Sequence, residues 1–372
     1  MLIVGLKPYD QSSAVMRWLG IADASWSTIV SGQSQVQVLS EIAGNAPAWA
    51  FYDDLKSYAG DEQGNGINLR GFIYTLSAIR AISPDVFNAH EAAPYAASKF
   101  ASIGWKFRER KNLGQIEEML NEAVRWGRGT ALHRQEVLTM FFVSLQERSA
   151  DVLRLVEWYG FDALNRDAFQ PREYEGKQMP SHAQNLVKAY LDALMSNDSS
   201  GNPIATTEAR DAGCERVITL LDDPGCSNWV WEPYKLGKLL CEVGRYSEAR
   251  ERLAPIVAKS QTEPWAWRAY AKTWETEALD NFEKCLCMGL SYSNNDQFSR
   301  SLHEDAAELF ARTGRFPEAK AEVLLLDKQS EENGWRASEG AGILKQEDWF
   351  ANTEPADSNE LLYSRLSQGA IE

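Results

Sequence analysis

The chain has few of the residues that carry redox or metal chemistry. Its 372 residues include only five cysteines, and all of them lie between positions 214 and 287. An odd number of cysteines argues against a disulfide framework. Cys285 and Cys287 stand two positions apart on a predicted helix, so they face different directions. Buried small apolar residues are therefore a better interpretation of this pair than a metal or redox site.

Histidine is scarcer still, and no phosphate-binding loop of the Walker form is present. The four histidines are His90, His133, His182 and His303. None is paired with another histidine at a metal-ligand spacing. Arg128 and His133 match a spacing used by some helical ribonucleases, but Gly127 and Gly129 predict a turn at this point. We therefore expect no metal, no cofactor and no catalytic residues, and we predict that the protein is not an enzyme.

Long apolar runs and excess positive charge are also missing. No window reaches the roughly 18 uninterrupted apolar residues of a membrane span. Residues 1–7 lack the charged start and the longer apolar run of a secretion signal, which predicts a cytoplasmic protein without a membrane partner. Lys and Arg number 38 against 53 Asp and Glu, a net charge of −15. This balance disfavours a general nucleic-acid coat, although a local basic groove remains open.

What the chain does contain is a repeated pattern between residues 231 and 326. The stretch 244–250, Gly-Arg-Tyr-Ser-Glu-Ala-Arg, returns at 314–320 as Gly-Arg-Phe-Pro-Glu-Ala-Lys. The offset between the two alanines is 319 − 249 = 70 residues. In each copy an apolar helix precedes the Gly-Arg-aromatic corner and a second helix follows it. This spacing predicts a helical hairpin about every 34 residues.

Small residues recur where two helices of a hairpin would approach closely. They are Gly237, Gly244, Ala249, Ala271, Ala278, Ala307, Gly314 and Ala319. Together with large neighbours such as Leu236, Tyr270 and Phe282, this pattern resembles the tetratricopeptide repeat. The resemblance implies an all-α, right-handed solenoid, because one such hairpin cannot bury its own apolar face. Folds of this kind support binding more often than chemistry, and fold alone does not establish function.

The composition along the chain predicts four regions. Residues 1–45 have an uncertain form, and residues 46–228 form an array of helical hairpins that is interrupted by an irregular connector at 161–180. Residues 229–335 hold the tetratricopeptide-like repeats, and residues 336–372 form an aromatic tail. The tail is either draped over the last hairpin or a linker, and docking on its own chain or on another chain stays open. The oligomeric state stays open as well.

A second resemblance covers roughly residues 45–366. Its motifs are Leu155 to Phe161, the run Phe-Gln-Pro at 169–171, Gly-Lys at 176–177 and the tail from Trp349 to Tyr363. They look like an uncharacterised bacterial family of tetratricopeptide-like proteins, some members of which continue into a cold-shock-like β-barrel. That barrel fold often binds single-stranded nucleic acid. The resemblance implies an alternative function, a nucleic-acid-associated component of a bacterial stress or defence system, although this chain stops before any such barrel.

The first helix of a tetratricopeptide hairpin lines the concave groove of the solenoid. Applied here, that spacing predicts eight groove residues: Trp231, Tyr234, Lys238, Trp265, Arg268, Lys272, Glu304 and Glu308. Alternating cations and aromatic rings suit an acidic peptide or a carboxylate terminus, and they also suit stacked bases of a single strand. The competing interpretation is ordinary packing of the tryptophans beside solvated cations. We predict a non-catalytic adaptor that binds a protein or peptide partner in this groove.

Overall fold

The computed structural model describes residues 52–369 except 62–63, 83, 90–91, 175 and 294–298. The described residues are mainly helical, and their only sheet has two short strands, which agrees with the all-α prediction. The predicted region 1–45 and His90 lie outside the described residues. The chain divides into two compact units, Met1–Ser196 and Asn197–Glu372. No helix in the described ranges is long and apolar enough to cross a lipid bilayer.

The described part of the first unit contains eight helices. They are α1 (Tyr52–Tyr58), α2 (Leu69–Ile82), α3 (Pro84–Ala89), α4 (Ala92–Glu109), α5 (Leu113–Trp126), α6 (Gln135–Leu145), α7 (Ser149–Tyr159) and α8 (His182–Leu194). Helix α4 packs against α1, α5 and α6, and α7 packs against α6 and α8. Neighbours in sequence are therefore mostly neighbours in space within this unit.

A line of aromatic rings forms the core of the first unit. The ring centroids of Phe72 and Phe100 are 6.2 Å apart, and those of Phe100 and Phe141 are 6.0 Å apart. Trp158 continues the line at 6.1 Å from Phe141. The three phenylalanines are fully buried. Edge-to-face and tilted contacts of this kind add to the apolar area that the rings remove from water.

The connector at 161–180 is more regular than predicted. It contains two short 3₁₀ turns, Phe161–Ala163 and Arg166–Phe169, followed by strands β1 (Arg172–Tyr174) and β2 (Lys177–Met179). The strands pair antiparallel with Tyr174 opposite Lys177, and Gly176 has a φ of 75° in the turn between them. Every residue of β2 is exposed. Without a buried face the strand shows no alternation of apolar and polar residues, so the sequence carried no strand signal.

The second unit contains ten helices in its described part. They are α9 (Thr207–Leu221), α10 (Trp231–Glu242), α11 (Tyr246–Lys259), α12 (Pro264–Lys272), α13 (Leu279–Ser291), α14 (Arg300–Arg312), α15 (Phe316–Asn333), α16 (Glu339–Leu344), α17 (Asp348–Asn352) and α18 (Glu360–Leu366). Helices α10 to α15 form three consecutive pairs. The first helices α10, α12 and α14 contact one another in that order, and each of α11 and α13 packs on the next first helix.

The same backbone turn joins the two helices of the first pair and the two helices of the third pair. Gly244 and Gly314 have φ values of 80° and 75°, which only glycine adopts without strain. The backbone amide of the next residue, an arginine, donates a hydrogen bond to a carbonyl of the preceding helix. Arg245 donates to Leu240 and Arg315 donates to Phe310, each with an N–O distance of 2.8 Å. This is the six-to-one bond of a Schellman ending. The middle pair lacks the glycine and uses a longer turn between α12 and α13.

The predicted small residues are placed consistently, with one correction. Ala249 and Ala319 are fully buried in the first turn of α11 and α15, and Gly237, Ala271 and Ala307 are buried in the first helices. The prediction placed Ala278 inside the second helix of the middle pair. The structure instead has Ala278 just before α13, with extended backbone. Phe282 takes the position one turn into the helix, because the amide of Phe282 bonds to the carbonyl of Ala278.

Gly237 is required for the close approach of α10 and α11. A Cβ at this position would lie 2.5 Å from Cγ of Leu253 and 2.7 Å from its Cδ2. We expect Gly237→Ala to lower the free energy of unfolding by about 1–3 kcal/mol, because overpacking outweighs the gain in helix propensity. Gly342→Ala is the matched control, since nothing lies within 4 Å of a Cβ there. Urea unfolding that leaves Gly237→Ala as stable as this control would contradict the close approach.

The C-terminal tail docks on its own chain. Nζ of Lys320 on α15 donates to the carbonyls of Phe350 at 2.7 Å and Thr353 at 2.8 Å. The ring of Trp349 stacks on Phe316 with centroids 5.0 Å apart and an angle of 15° between the planes. Helix α18 packs against α13. In this structure the tail therefore packs on helices of its own chain.

Candidate functional site

Three predicted groove residues meet in a cluster of rings, which we call the aromatic cluster: Trp231, Tyr234 and Trp265. The ring centroids of Trp231 and Trp265 are 4.9 Å apart, and Tyr234 meets Trp265 edge-on at 4.9 Å. Tyr234 and Trp265 are half-buried against the core. Trp231 remains 50% exposed. An indole half open to water on top of two supporting rings is a surface suited to contact with another molecule.

Local sequence explains how these rings reach one face. Trp231 is the first residue of α10, and Tyr234 and Lys238 follow at spacings of three and four, so the three side chains share a face. Pro264 occupies the first position of α12, where its missing N–H costs nothing. Trp265 therefore lies in the first turn of α12, next to the first turn of α10. Its indole N–H donates to Oε2 of Glu263 at 3.0 Å.

A cavity of about 270 Å³ continues from the aromatic cluster along α10 and α12. Four of the predicted groove residues line it: Tyr234, Lys238, Arg268 and Lys272. Glu242 and Glu275 also contribute to its wall. The structure therefore brings the aromatic and cationic predictions together in one place.

Two of the predicted cations are already paired within the chain. Nε of Arg268 donates to Oδ2 of Asp305 at 2.7 Å, and Nζ of Lys272 lies 3.1 Å from Oδ1 of Asp305 and 3.1 Å from Glu275. Asp305 on α14 is only 8% exposed. The prediction treated Arg268 and Lys272 as groove cations available to a ligand or as solvated charges. Both residues line the cavity as predicted and share the buried Asp305 carboxylate, and their contact with a ligand stays a prediction.

Lys238 differs from its two neighbours. Within the described part of the chain no carboxylate lies within ion-pairing distance of its Nζ, which instead lies over the Tyr234 ring, 5.9 Å from the centroid. The side chain is exposed at the mouth of the cavity. Lys238 is therefore the cation whose charge remains available to an incoming anionic group.

The two predicted acids lie on α14, outside the lining of the cavity. Glu304 pairs with Arg300 at 3.6 Å. Glu308 faces α16, where a Cβ added to Gly340 would lie 3.1 Å from its Oε1. Partial desolvation and then the neighbouring Asp305 carboxylate raise the pKa of Glu308, although much of its surface is exposed. Both carboxylates thus have neighbours within the chain, and their contact with a partner stays a prediction.

Trp267 belongs to the core and not to the surface. It is 1% exposed, and its indole N–H donates to the carbonyl of Gln261 at 2.7 Å. Trp265, two residues earlier on the same helix, is half-buried in the aromatic cluster. Trp267 is therefore an ordinary packing residue, whereas Trp231 lies at the surface.

The spacing shared with helical ribonucleases does not assemble a site. Arg128 forms an ion pair with Asp162. Nε2 of His133 contacts the carbonyl of Tyr159 at 2.7 Å, and the imidazole stacks on the Tyr159 ring with centroids 4.5 Å apart. Burial is the main reason that the pKa of His133 is lowered. Both side chains hold the segment after α5 against the end of α7.

The five cysteines are all free, and four of them are buried. Burial raises the pKa of Cys285 and of Cys287 to about 12, which keeps both thiols protonated and unreactive. The described residues contain no group of three or more histidine, cysteine, aspartate and glutamate side chains that could hold a metal ion.

A buried polar cluster beneath the tail has no signal in the sequence. Glu322 on α15 is 1% exposed and accepts hydrogen bonds from Nδ2 of Asn359 at 2.6 Å and from the hydroxyl of Tyr363. Nδ1 of His303 on α14 lies 2.7 Å from the other carboxylate oxygen. These residues are 19 to 41 positions from Glu322 along the chain. No local spacing could have indicated that they meet.

Comparison with known protein families gives one match. No curated protein matches the chain. Residues 230–370 match the model of a family described as a domain of unknown function, DUF7017. The matched range begins next to Trp231 and contains all three helix pairs and the docked tail. In this part the chain is a helical protein that resembles a domain whose function has not been assigned.

Proposed function

We propose that the second unit binds a peptide segment of a protein partner on the surface formed by α10 and α12, and that this surface acts as a non-catalytic adaptor. The observation that carries this proposal is the aromatic cluster, in which Trp231 is 50% exposed on top of Tyr234 and Trp265. Exposed aromatic rings that are held rigidly lose little conformational entropy on binding. Such residues dominate the affinity of many protein interfaces.

The charges around the cavity specify the ligand further. Asp305 and Glu275 together neutralise Arg268 and Lys272, so Lys238 is the cation that an acidic group would meet. Glu242 and Glu275 on the wall are paired with Arg210 and Lys272, so the wall offers a polyanion no row of free cations. The surface therefore suits a segment with one apolar or aromatic side chain for the cluster and one carboxylate for Lys238. It suits a phosphate backbone poorly, which places the nucleic-acid alternative second.

The proposal includes the tetratricopeptide-like arrangement of α10 to α15 as a right-handed stack of hairpins. Its support is the shared Gly-Arg corner after α10 and α14 and the ordered contacts among α10, α12 and α14. In such a stack the first helices form a continuous inner surface. The aromatic cluster and Lys238 lie on two of these first helices.

A peptide selection tests the proposal before any partner is identified. Random peptides displayed on phage would be selected on the immobilised full chain, and enriched peptides would be measured by calorimetry. We expect them to combine an aromatic or large apolar residue with an acidic residue. Trp231→Ala should weaken their Kd by about 10- to 30-fold, the range of an interface hot spot, and Lys238→Glu should weaken binding in a salt-dependent way.

Lys328→Glu is the matched control, since Lys328 is an exposed lysine on α15 that pairs weakly with Glu332 at 3.8 Å. It makes the same charge change as Lys238→Glu and should leave the Kd unchanged. Charge reversal at Arg268 or Lys272 would be a poor test, because it breaks the pairs with buried Asp305. Peptides that bind Trp231→Ala and wild type equally would refute the proposal. Salt-sensitive binding of single-stranded oligonucleotides in place of peptides would favour the alternative.

A further inference from the structure

A serine, a histidine and a glutamate form a hydrogen-bonded chain in the second unit. Ser293 follows α13, His303 lies on α14 and Glu322 lies on α15. Oγ of Ser293 is 3.0 Å from Nε2 of His303. Nδ1 of His303 is 2.7 Å from Oε2 of Glu322. Nucleophile, base and orienting carboxylate are connected in this order in serine hydrolases, which are recognised by geometry and not by chain order.

The other contacts of Glu322 favour a hydrogen on Nδ1 of His303. An ionised carboxylate can only accept, and its Oε1 already accepts from Asn359 and Tyr363. Burial raises the pKa of Tyr363, so its hydroxyl stays protonated as a donor. Oε2 then accepts from Nδ1–H of His303. The tautomer with its hydrogen on Nδ1 has a lone pair on Nε2, which can accept from the hydroxyl of Ser293 at 3.0 Å.

Solvent exposure increases from the glutamate to the serine, as a nucleophile requires. Glu322 is 1% exposed and His303 is 3% exposed, whereas Ser293 is half-buried. All three residues line a cleft of about 430 Å³ between α15 and the tail segment 355–363. The carboxylate is thus shielded from water, while the serine lies where a small substrate could enter.

The geometry points to Ser293 as a nucleophile that attacks carboxylic esters, with His303 as its general base and Glu322 as a positioning residue. Oγ of Ser293 bonds to the ester carbonyl carbon while its proton moves to Nε2 of His303. The bond from that carbon to the alkoxy oxygen then breaks, and the leaving oxygen takes the proton from Nε2. Water attacks the acyl-serine by the reverse sequence, which releases the acid and restores the hydroxyl.

This inference does not depend on the peptide surface proposed above, because neither the aromatic cluster nor Lys238 lines the cleft. A purely structural role for the same residues is the competing explanation, since Asn359 and Tyr363 also anchor the tail through Glu322. The two explanations differ in one respect. Anchoring requires no reactivity of Ser293, whereas a nucleophile requires an activated hydroxyl.

An alkyl fluorophosphonate tests this difference on the full-length chain. Attack by Oγ of Ser293 forms a bond to phosphorus and expels fluoride, and the proton passes to His303. We expect one adduct per chain in the intact mass spectrum, located on Ser293 by peptide mapping. p-Nitrophenyl acetate should release a burst of one p-nitrophenolate per chain. Folded wild-type protein that forms no adduct on Ser293 overturns the proposal without reference to any variant.

Variants then distinguish the general-base role of His303, the positioning role of Glu322 and the anchoring of the tail. Ser293→Ala should abolish the adduct, and Ser291→Ala, an exposed helical serine bonded to the carbonyl of Met288, should leave its rate unchanged. His303→Gln and Glu322→Gln should each slow labelling by about 10²-fold or more, the usual contribution of a general base.

Tyr363→Phe is the control for anchoring, since it removes a tail contact to Glu322 and leaves His303 and Ser293 in place. We expect it to label at a rate close to that of wild type. Two results would show that the effect is structural: equal slowing by Tyr363→Phe and Glu322→Gln, or undiminished labelling of folded His303→Gln.

Discussion

Trp267→Ala is expected to lower the free energy of unfolding around α12 and α13 by about 3–5 kcal/mol, the usual range for removing a buried tryptophan from a core. The indole is 1% exposed and belongs to the cluster of buried residues that joins α11 to α14. Its removal creates a cavity at the centre of that cluster and deletes the bond to the carbonyl of Gln261. Hydrogen exchange of peptides from α12 and α13, read by mass spectrometry, reports this local loss.

Trp265→Ala provides the matched control on the same helix. The same side chain is removed two residues away, but from the half-buried aromatic cluster. We expect a loss of less than about 1.5 kcal/mol in stability, because only part of the ring is buried. We also expect weaker binding of peptides selected on the aromatic cluster. Equal loss of protection in both variants would show that the surface and core roles assigned to these tryptophans are wrong.

Ending the chain at Asn352 is expected to cause the second large effect. This truncation removes α18 and with it Asn359 and Tyr363, which is 6% exposed. Glu322 then loses two donors, and the face of α13 that packs on α18 meets water. Loss of a buried aromatic ring and of a carboxylate's partners should lower the unfolding free energy of α13 and α15 by about 3–5 kcal/mol.

The truncated chain also allows a test by restoration. A synthetic peptide of residues 353–372 added in excess should restore the exchange protection of α13 and α15, because it binds the folded state alone. A chain that ends at Gly369 is the control and should behave as wild type, since it retains α18. Unchanged protection after truncation at Asn352 would show that the tail contributes nothing to the packing of this unit.

Much of the local structure could be read from the sequence because its signals are local. The sequence predicts that Ser181 begins one helix and that Thr206 or Thr207 begins the next. In the structure the side chains of Ser181 and Thr206 each accept from the amide three residues later, at 3.0 Å and 3.2 Å. Helix α5 spans Leu113–Trp126, which are the bounds that its apolar period predicts. Gly244 and Gly314 end their helices at the predicted corner. In each case the residues that decide the conformation lie within one or two turns of it.

The predictions failed for two segments in which the local sequence signal was weak or misleading. Ala278 matched the repeat by residue type, but the longer turn after α12 moved the start of α13 past it. The hairpin of β1 and β2 carried no apolar alternation, because β2 has no buried face. Both failures concern segments whose conformation is set by the elements on either side.

The sequence by itself determined the helical class, the repeated corners, and which residues of α10 and α12 share a face. Only the tertiary structure decided which charges remain available. Asp305 lies 37 residues from Arg268 along the chain and pairs with it, while no carboxylate among the described residues pairs with Lys238. Tertiary packing likewise joined Ser293, His303 and Glu322 and seated the tail above them. The physical reason is that periodicity reports which face of a helix is buried, whereas ion pairs and hydrogen bonds depend on which distant side chain packing brings within about 3 Å.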